Sequence, residues 1–537
     1  MTGTSSRSAL GREAITRRRK RGVRAALLVL CGSVVVSPGC TKPGQPGEGR
    51  IEGREPKAKV PPAAMAEALD DALAPLIAEY MSVYSTPGLA VGVVDRGRVV
   101  FTRGYGVRSE RSREPVTTRS VFHMASNAKP LVAAAICQLA EAGKVDLDAT
   151  VKTYLPYFAP ADRRAASATV RQMLSHSSGL PDVSDYEWET PQRDDGALER
   201  YVRSLKGRTL LFSPGASAAY SNLAYSVLGD VIAKVSGRPF EQYMEESLLS
   251  PLGMEDSTFF KKDVPSSLEV TPHVERLGGI RPSETYPYNR IHAPSSTLNS
   301  NVMDMSRWML ANLNRGELDG KRILRTSSFE ALWTRQTPED APMSVGLGWF
   351  IGSAADALMV SHSGSDLGFK NNLWLLPDLK SGVVVMANSS TAYPVVEAVS
   401  LAVLGVLLDV EFPLEPARRP VRMPLGEIVA RDRVAAATRA YRDWFAASRD
   451  LYHFDEIELI RLADSLVEAK RSEDSIAILE LNLESYEVPS LTLERLFEIN
   501  LKLGRIQEAD HHYERLRELA MSHPSAAESL QRLDQER

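Results

Sequence analysis

The chain has 537 residues, 43% hydrophobic and 25% charged. It is too long for one ordinary core, so at least two domains plus tails are expected. Its formal charge of −4 falls to −11 without residues 1–39, which hold eight Lys or Arg and one Glu, arguing against nucleic acid as a partner. Three cysteines exclude a disulfide framework, and nine scattered histidines without H-E-x-x-H or paired-Cys spacing predict no metal; no motif asks for a cofactor.

"TRRRKRGVRAALLVLCGSVVVSPGC" gives a basic stretch, an apolar run from Ala25 to Val36, and small residues before Cys40. The run is short for a transmembrane helix and has the layout of an export signal, which would contain Cys31. "SPGC" resembles the lipobox of bacterial lipoproteins, with Ser37 where that motif usually has Leu. Lipidation of Cys40 and a membrane-anchored, periplasmic or cell-surface protein are the expectation; plain secretion is the competing reading. Arg17 and Arg18 hint weakly at twin-arginine export. No other apolar stretch approaches spanning length.

"TKPGQPGEGRIEGREPKAKVPPA" is Pro, Gly and charge, and reads as a flexible tether. An amphipathic helix starts at Met65. "GLAVGVVDRGRVVFTRGYGV" predicts a hairpin turning at Asp95-Arg96-Gly97. Residues 126 to 345 are mostly helical in pattern. "FKNNLWLLPDLKSGVVVMANSS" gives two further strands and 393–410 a last helix. Strands at both ends imply an antiparallel sheet completed by N- and C-terminal segments, flanked by helices, with an inserted helical region. "EFPLEPARRPVRMPLGE" reads as a linker with four prolines, and the rest as all-helical. There Arg471 aligns over Arg505, Ser475 over Ala509 and Leu479 over Tyr513, an offset of 34 residues, the tetratricopeptide period. A plain helical hairpin fits as well.

Three short motifs carry chemistry. In "FHMASNAKPL", Ser126 and Lys129 lie one helical turn apart, and Pro130 fits only if the helix has barely begun. A lysine whose pKa is depressed can take a serine proton, and a helix N-terminus favours developing negative charge. This is the sole S-x-x-K in the chain, although about one or two are expected by chance at this length. Tyr220-Ser221-Asn222, the sole Y-x-N, follows a Pro-Gly turn. A phenol near an ammonium can act as base or acid, and an Asn amide can serve substrate and lysine together. His362-Ser363-Gly364 precedes strand-like sequence, where a Gly permits close backbone approach and Ser365 has an N–H to offer an oxyanion. Read singly, a loop tyrosine with a helix cap and a surface histidine account for the second and third motifs.

Together and in this order, the motifs resemble the serine beta-lactamase and penicillin-binding-protein superfamily, and more closely the class C beta-lactamase-related serine hydrolases. "TVRQMLSHSSGLP", "YSNLAYSVLGDVIAKVSGRPFEQYMEESLLSPLGMEDST", "PSSTLNSNVMDMSRWMLANLNRG" and "GLGWF" also look like that family, over about residues 66 to 405. The resemblance implies a mixed α/β (α+β) beta-lactamase/transpeptidase-like fold with a C-terminal all-α extension. It implies Ser126 as nucleophile, Lys129 as its activating partner, Tyr220 as general base and acid, and Asn222 as ligand of substrate and lysine. His362 stands where the family's K-T-G lysine would, Gly364 follows, and the N–H groups of Ser126 and Ser365 form the oxyanion hole. His176 is read as structural, Cys137 as core, and His123 has no assigned role. A histidine at 362 weakens the case for binding a beta-lactam carboxylate. No segment stands out as a dedicated deacylation carboxylate.

The expected organisation is therefore an export signal at 1–39, a tether at 40–64, a hydrolase domain at 65–410, a linker at 411–427 and helices at 428–537. The expected activity is serine hydrolysis of an ester, amide, D-amino-acid peptide or beta-lactam through an acyl-enzyme. The alternative is a catalytically weak penicillin-binding-like protein using residues 428–537 for protein contacts.

Overall fold

The computed structural model describes residues 61–536. The expected export signal, Cys40 and nearly all of the tether lie outside the described residues. Helix α1 (Pro62–Val83) begins inside the last residues assigned to the tether.

Five helices shape the first part of the chain: α1, α2 (Ala128–Glu141), α3 (Asn222–Ser236), α4 (Val302–Leu313) and α5 (Tyr393–Leu408). Strands β1 (Gly88–Asp95) and β2 (Arg98–Gly106) form the expected hairpin. Arg96 and Gly97 between them both have positive φ, 49° and 74°, the type I′ geometry whose twist suits the flanking strands. Four more strands come from the far end of the domain: β3 (Phe350–Ala354), β4 (Ala357–Asp366), β5 (Phe369–Leu376) and β6 (Ser381–Ala387). The sheet order is β2-β1-β6-β5-β4-β3, antiparallel throughout, and Leu89 of β1 faces Ala387 of β6. One sheet is thus closed by segments almost 300 residues apart, as the strand pattern predicted. β6 is buried along its whole length and β1 nearly so, which requires cover on both faces; α5 packs on β5 and β6, and α4 on β1 and β6.

Helix α2 is buried from Ala128 through Cys137 without a break, as a helix apolar on every side must be. Lys129 lies inside that run, and the fold has to find partners for its amine. The region between α2 and β3 is less regular than its pattern suggests. Loops broken by short helices such as Ala197–Ser204 and Phe240–Met244 separate α2, α3 and α4, and an unanticipated hairpin pairs His273–Arg276 with Gly279–Pro282.

The chain forms two compact units, and the boundary is not contiguous in sequence. The second unit contains Glu79–Ser85, His273–Pro282 and the chain from Pro416 onward. It carries α6 (Arg422–Arg431), α7 (Val434–Ala447), α8 (Glu456–Glu468), α9 (Ser472–Ser485), α10 (Ser490–Lys502), α11 (Ile506–Ala520) and α12 (Pro524–Glu536). The stretch expected as a linker over 411–427 therefore turns helical at Arg422. Pro424 sits in the first turn of α6, where its missing N–H costs little. Val421, Leu425 and Val429 recur every four residues and are buried. Helices α8, α10 and α12 start 34 residues apart, as do α9 and α11, with Arg471 and Arg505 as the N-caps of the latter two.

The hairpin belongs to this unit because of charge as well as packing. Arg422, only 5% exposed, donates from Nε to Glu275 Oε2 at 2.9 Å and from Nη1 to the equally buried Glu458. Removing one member leaves a buried charge without its partner. Arg422→Ala should therefore destabilise the second unit by about 3–5 kcal/mol, read as a lower denaturant midpoint of the C-terminal helices.

Candidate active site

The approach to Ser126 is set by backbone geometry. Phe122 and His123 pair with Ser300 and Asn299, and Met124 N donates to Leu298 O at 2.7 Å. Ala125 then takes φ 47°, a left-handed conformation costing a non-glycine residue about 1–2 kcal/mol. That reversal delivers Ser126 into a short 3-10 turn, Ala125–Asn127, running directly into α2. Pro130 falls in the first turn of α2, where the sequence required it.

One turn on, Lys129 is fully buried. Its Nζ lies 2.9 Å from Ser126 Oγ and donates to Asn222 Oδ1 at 2.6 Å and the Ser295 carbonyl at 2.7 Å. Burial pushes its pKa down to about 7, against the opposing pull of Asp182 and Asp366. A neutral amine has two N–H bonds and one lone pair. The two carbonyl-type oxygens occupy the donors, which leaves the lone pair for the Ser126 hydroxyl.

Tyr220 and Asn222 are fixed from His176, whose φ of 56° is also left-handed. Ala219 N donates to His176 O at 2.9 Å, Ser221 N to His176 Nδ1 at 3.1 Å, and the His176 and Tyr220 ring centroids lie 4.4 Å apart. His176 is structural, as its sequence context implied. Ser221 caps α3 by accepting from Ala224 N, so Asn222 opens the helix. Its amide nitrogen donates to Asp182 Oδ1 at 2.9 Å and to the Tyr186 hydroxyl at 2.9 Å, turning Oδ1 toward Lys129. The Tyr220 ring centroid lies 4.9 Å from Lys129 Nζ, and its hydroxyl bonds Ser126. Burial drives the phenol pKa far up, so the resting group holds its proton and the phenolate form is disfavoured.

Strand β4 brings the third motif. Its pairing with β3 ends at Ser361, and beyond that point it packs beside the Ala125–Asn127 turn. At Gly364 any Cβ would collide with the Met124 carbonyl oxygen and press on the Asn127 and Asn371 amides. His362 is 2% exposed; its Nδ1 donates to Ser363 O at 2.8 Å, while Nε2 has no partner among the described residues. Burial and the neighbouring Lys129 push its pKa to about 3, so it is a neutral imidazole. Ser365 faces Lys370 across the β4–β5 ladder and accepts a hydrogen bond from its amine.

Of the residues singled out from sequence, Ser126, Lys129, Tyr220, Asn222, His362, Gly364 and Ser365 converge here. Cys40 lies outside the described residues. Sequence reading missed Asp182, Tyr186, Ser295 and Asp366. Ser295 acts through its carbonyl and leaves no side-chain signal. His292 was missed as well: a buried imidazole edge-on to Tyr186 and Tyr201, 4.9 and 5.0 Å between centroids, and kept neutral by burial and Lys129. Among the described residues no group of three or more His, Cys, Asp or Glu side chains is placed to hold a metal, and no helix is long and apolar enough to cross a membrane.

The beta-lactamase family model matches residues 73–406, the whole span that carries these motifs. The chain belongs to the beta-lactamase family. Relatives include Protein flp of Staphylococcus aureus strain MW2, 27% identical over 310 residues, which cover 57% of this chain and 60% of flp. Penicillin-binding protein 4 of Amycolatopsis lactamdurans is 27% identical over 355 residues, covering 62% of this chain and 88% of that protein. Among solved structures, the octameric penicillin-binding protein homologue from Pyrococcus abyssi aligns with TM-score 0.57 at 26% identity, covering 67% of this chain and 80% of its own. SurE aligns with TM-score 0.55 at 26% identity, covering 65% and 79%. Membership supports serine-hydrolase-type acyl-enzyme chemistry in general.

In this beta-lactamase-family site the close approach at Gly364 is the simplest feature to break. Gly364→Ala must push β4 away from the Ser126 segment. Ser126-dependent turnover should fall about a hundredfold, with far-ultraviolet circular dichroism unchanged.

Proposed function

We propose that this chain is a serine hydrolase that forms an acyl-enzyme on Ser126 from esters, amides or D-amino-acid peptides, with beta-lactams as poorer acyl donors. The observation that carries this reading is the buried Lys129 amine, 2.9 Å from Ser126 Oγ, with its remaining hydrogens taken by Asn222 and Ser295. Ser126 Oγ attacks the acyl carbon as Lys129 takes its proton. The oxyanion is received by the N–H groups of Ser126 and Ser365. Collapse expels the leaving group, which takes the phenolic proton of Tyr220, and the Lys129 ammonium, 4.9 Å from the Tyr220 ring centroid, returns the proton it took from Ser126 to the phenolate. Water then releases the acyl group by the same steps in reverse order. Tyr220 acts as an acid in acylation because burial favours its phenol, which leaves the role of first base to Lys129.

The substrate preference rests on His362. Where the K-T-G lysine would stand there is a neutral imidazole with an open acceptor, suited to a donor N–H or O–H rather than a carboxylate. SurE, a structural neighbour, has been solved with D-Leu, which supports including D-amino-acid peptides. The pattern of residues 1–40 supports an exported protein anchored at Cys40, and the helices beyond α7 support a protein-docking role for the C-terminal unit.

A p-nitrophenyl ester and a labelled penicillin, each given to wild type and Ser126→Ala, test the function. Ester turnover lost in Ser126→Ala by three or more orders of magnitude, with slow penicillin acylation, is expected; equal activity in the two proteins refutes the catalytic reading. Lys129 must be unprotonated to accept the serine proton, so kcat/KM should rise with pH through a midpoint near 7. Cys40→Ser should move the full chain from the membrane fraction to the soluble fraction.

A further inference from the structure

The two backbone donors assigned to the oxyanion belong to segments that no backbone ladder joins. Residues 122 and 123, leading to Ser126, pair with Asn299 and Ser300. Ser365 lies on β4, whose ladders run to β3 only as far as Ser361 and to β5 on its other side. An oxyanion hole works only if both N–H groups meet the same point, so something other than a sheet register must set their separation.

We propose that His123 and Asp366 are a positioning pair that fixes the two oxyanion donors relative to each other, a role that rests on the acyl-serine reading of Ser126. His123 Nε2 donates to Asp366 Oδ2 at 2.7 Å, and the two side chains are 0% and 4% exposed. His123 precedes the nucleophile by three residues, and Asp366 directly follows Ser365, so the bond ties the two halves beside their working atoms. A second tie runs in parallel: Asn371 Nδ2, on β5, donates to the His123 carbonyl at 3.2 Å. The His123 ring is held by Phe369 and Tyr286, with centroids at 5.6 and 5.9 Å. Such a buried, charge-assisted bond has one geometry available to it, whereas packing alone would allow sliding.

Asp366 has a second effect. Its carboxylate pulls the Lys129 pKa upward, as Asp182 does; the imidazoles of His176, His292 and His362 and the phenols of Tyr220 and Tyr225 complete the surroundings of that amine. Removing the Asp366 charge makes the Lys129 ammonium less favourable, so the amine stays neutral to lower pH.

The test is steady-state hydrolysis of a p-nitrophenyl ester from pH 5 to 9 by wild type, Ser126→Ala, Asp366→Asn, His123→Ala and His123→Gln, with thermal midpoints alongside. Asp366→Asn should lose about a hundredfold in kcat, keep KM within about twofold, and show its acid limb displaced to lower pH. His123→Gln, which retains a donor amide, should keep more kcat than His123→Ala. Wild-type kcat and an unmoved limb in Asp366→Asn overturn the proposal, as does a kcat loss that vanishes once corrected for the folded fraction. Turnover that survives Ser126→Ala overturns the acyl-serine reading and this proposal with it.

Discussion

Placing a lysine amine inside a buried apolar run forces every neighbouring choice in the site. A charged ammonium there is disfavoured by desolvation, and burial draws the Lys129 pKa to about 7. Its neutral form must still satisfy two N–H groups, which fall to an Asn side chain and a backbone carbonyl from segments roughly 90 and 170 residues further along. Asp182 holds that Asn by both backbone and side-chain nitrogen. The remaining lone pair has one hydroxyl to face, and it belongs to Ser126. On the proposed reading, nucleophile activation follows from satisfying a buried amine.

The same burial acts on the other titratable groups with different consequences. It holds Tyr220 protonated and His362 and His176 neutral. Around the one exchangeable proton the imidazoles and phenol are thus neutral, while the Asp182 and Asp366 carboxylates act on Lys129. A lysine at position 362 would place a second cation near Lys129 and disfavour its ammonium further.

Much of the sheet was legible because its strands carry local signals. The hairpin turn at Arg96 and Gly97, the apolar runs of β1 and β6, and the two strands around Pro377 follow from residue type alone. The 34-residue period survived as helix starts, even though few repeat signature positions are present. S-x-x-K, Y-x-N and H-x-G were visible because each spends its chemistry within three or four residues. Ser295, Asp182 and the His123–Asp366 bond were not, since their partners lie 40 to 243 residues away and a carbonyl or a lone acid gives no pattern. The hairpin at 273–282 was hidden for a similar reason: its place depends on Glu275 meeting Arg422, 147 residues on.

The central claim is that Lys129 titrates near neutrality, so that its unprotonated amine is populated at working pH. Lysine-selective nitrogen-15 or carbon-13 labelling at the side-chain terminus, followed by NMR titration of wild type and Lys129→Met, reads this without any substrate. One resonance with a midpoint near pH 7, missing in Lys129→Met, is the result the account predicts. A spectrum in which every lysine titrates at about 10 or above, the ordinary value, would contradict it.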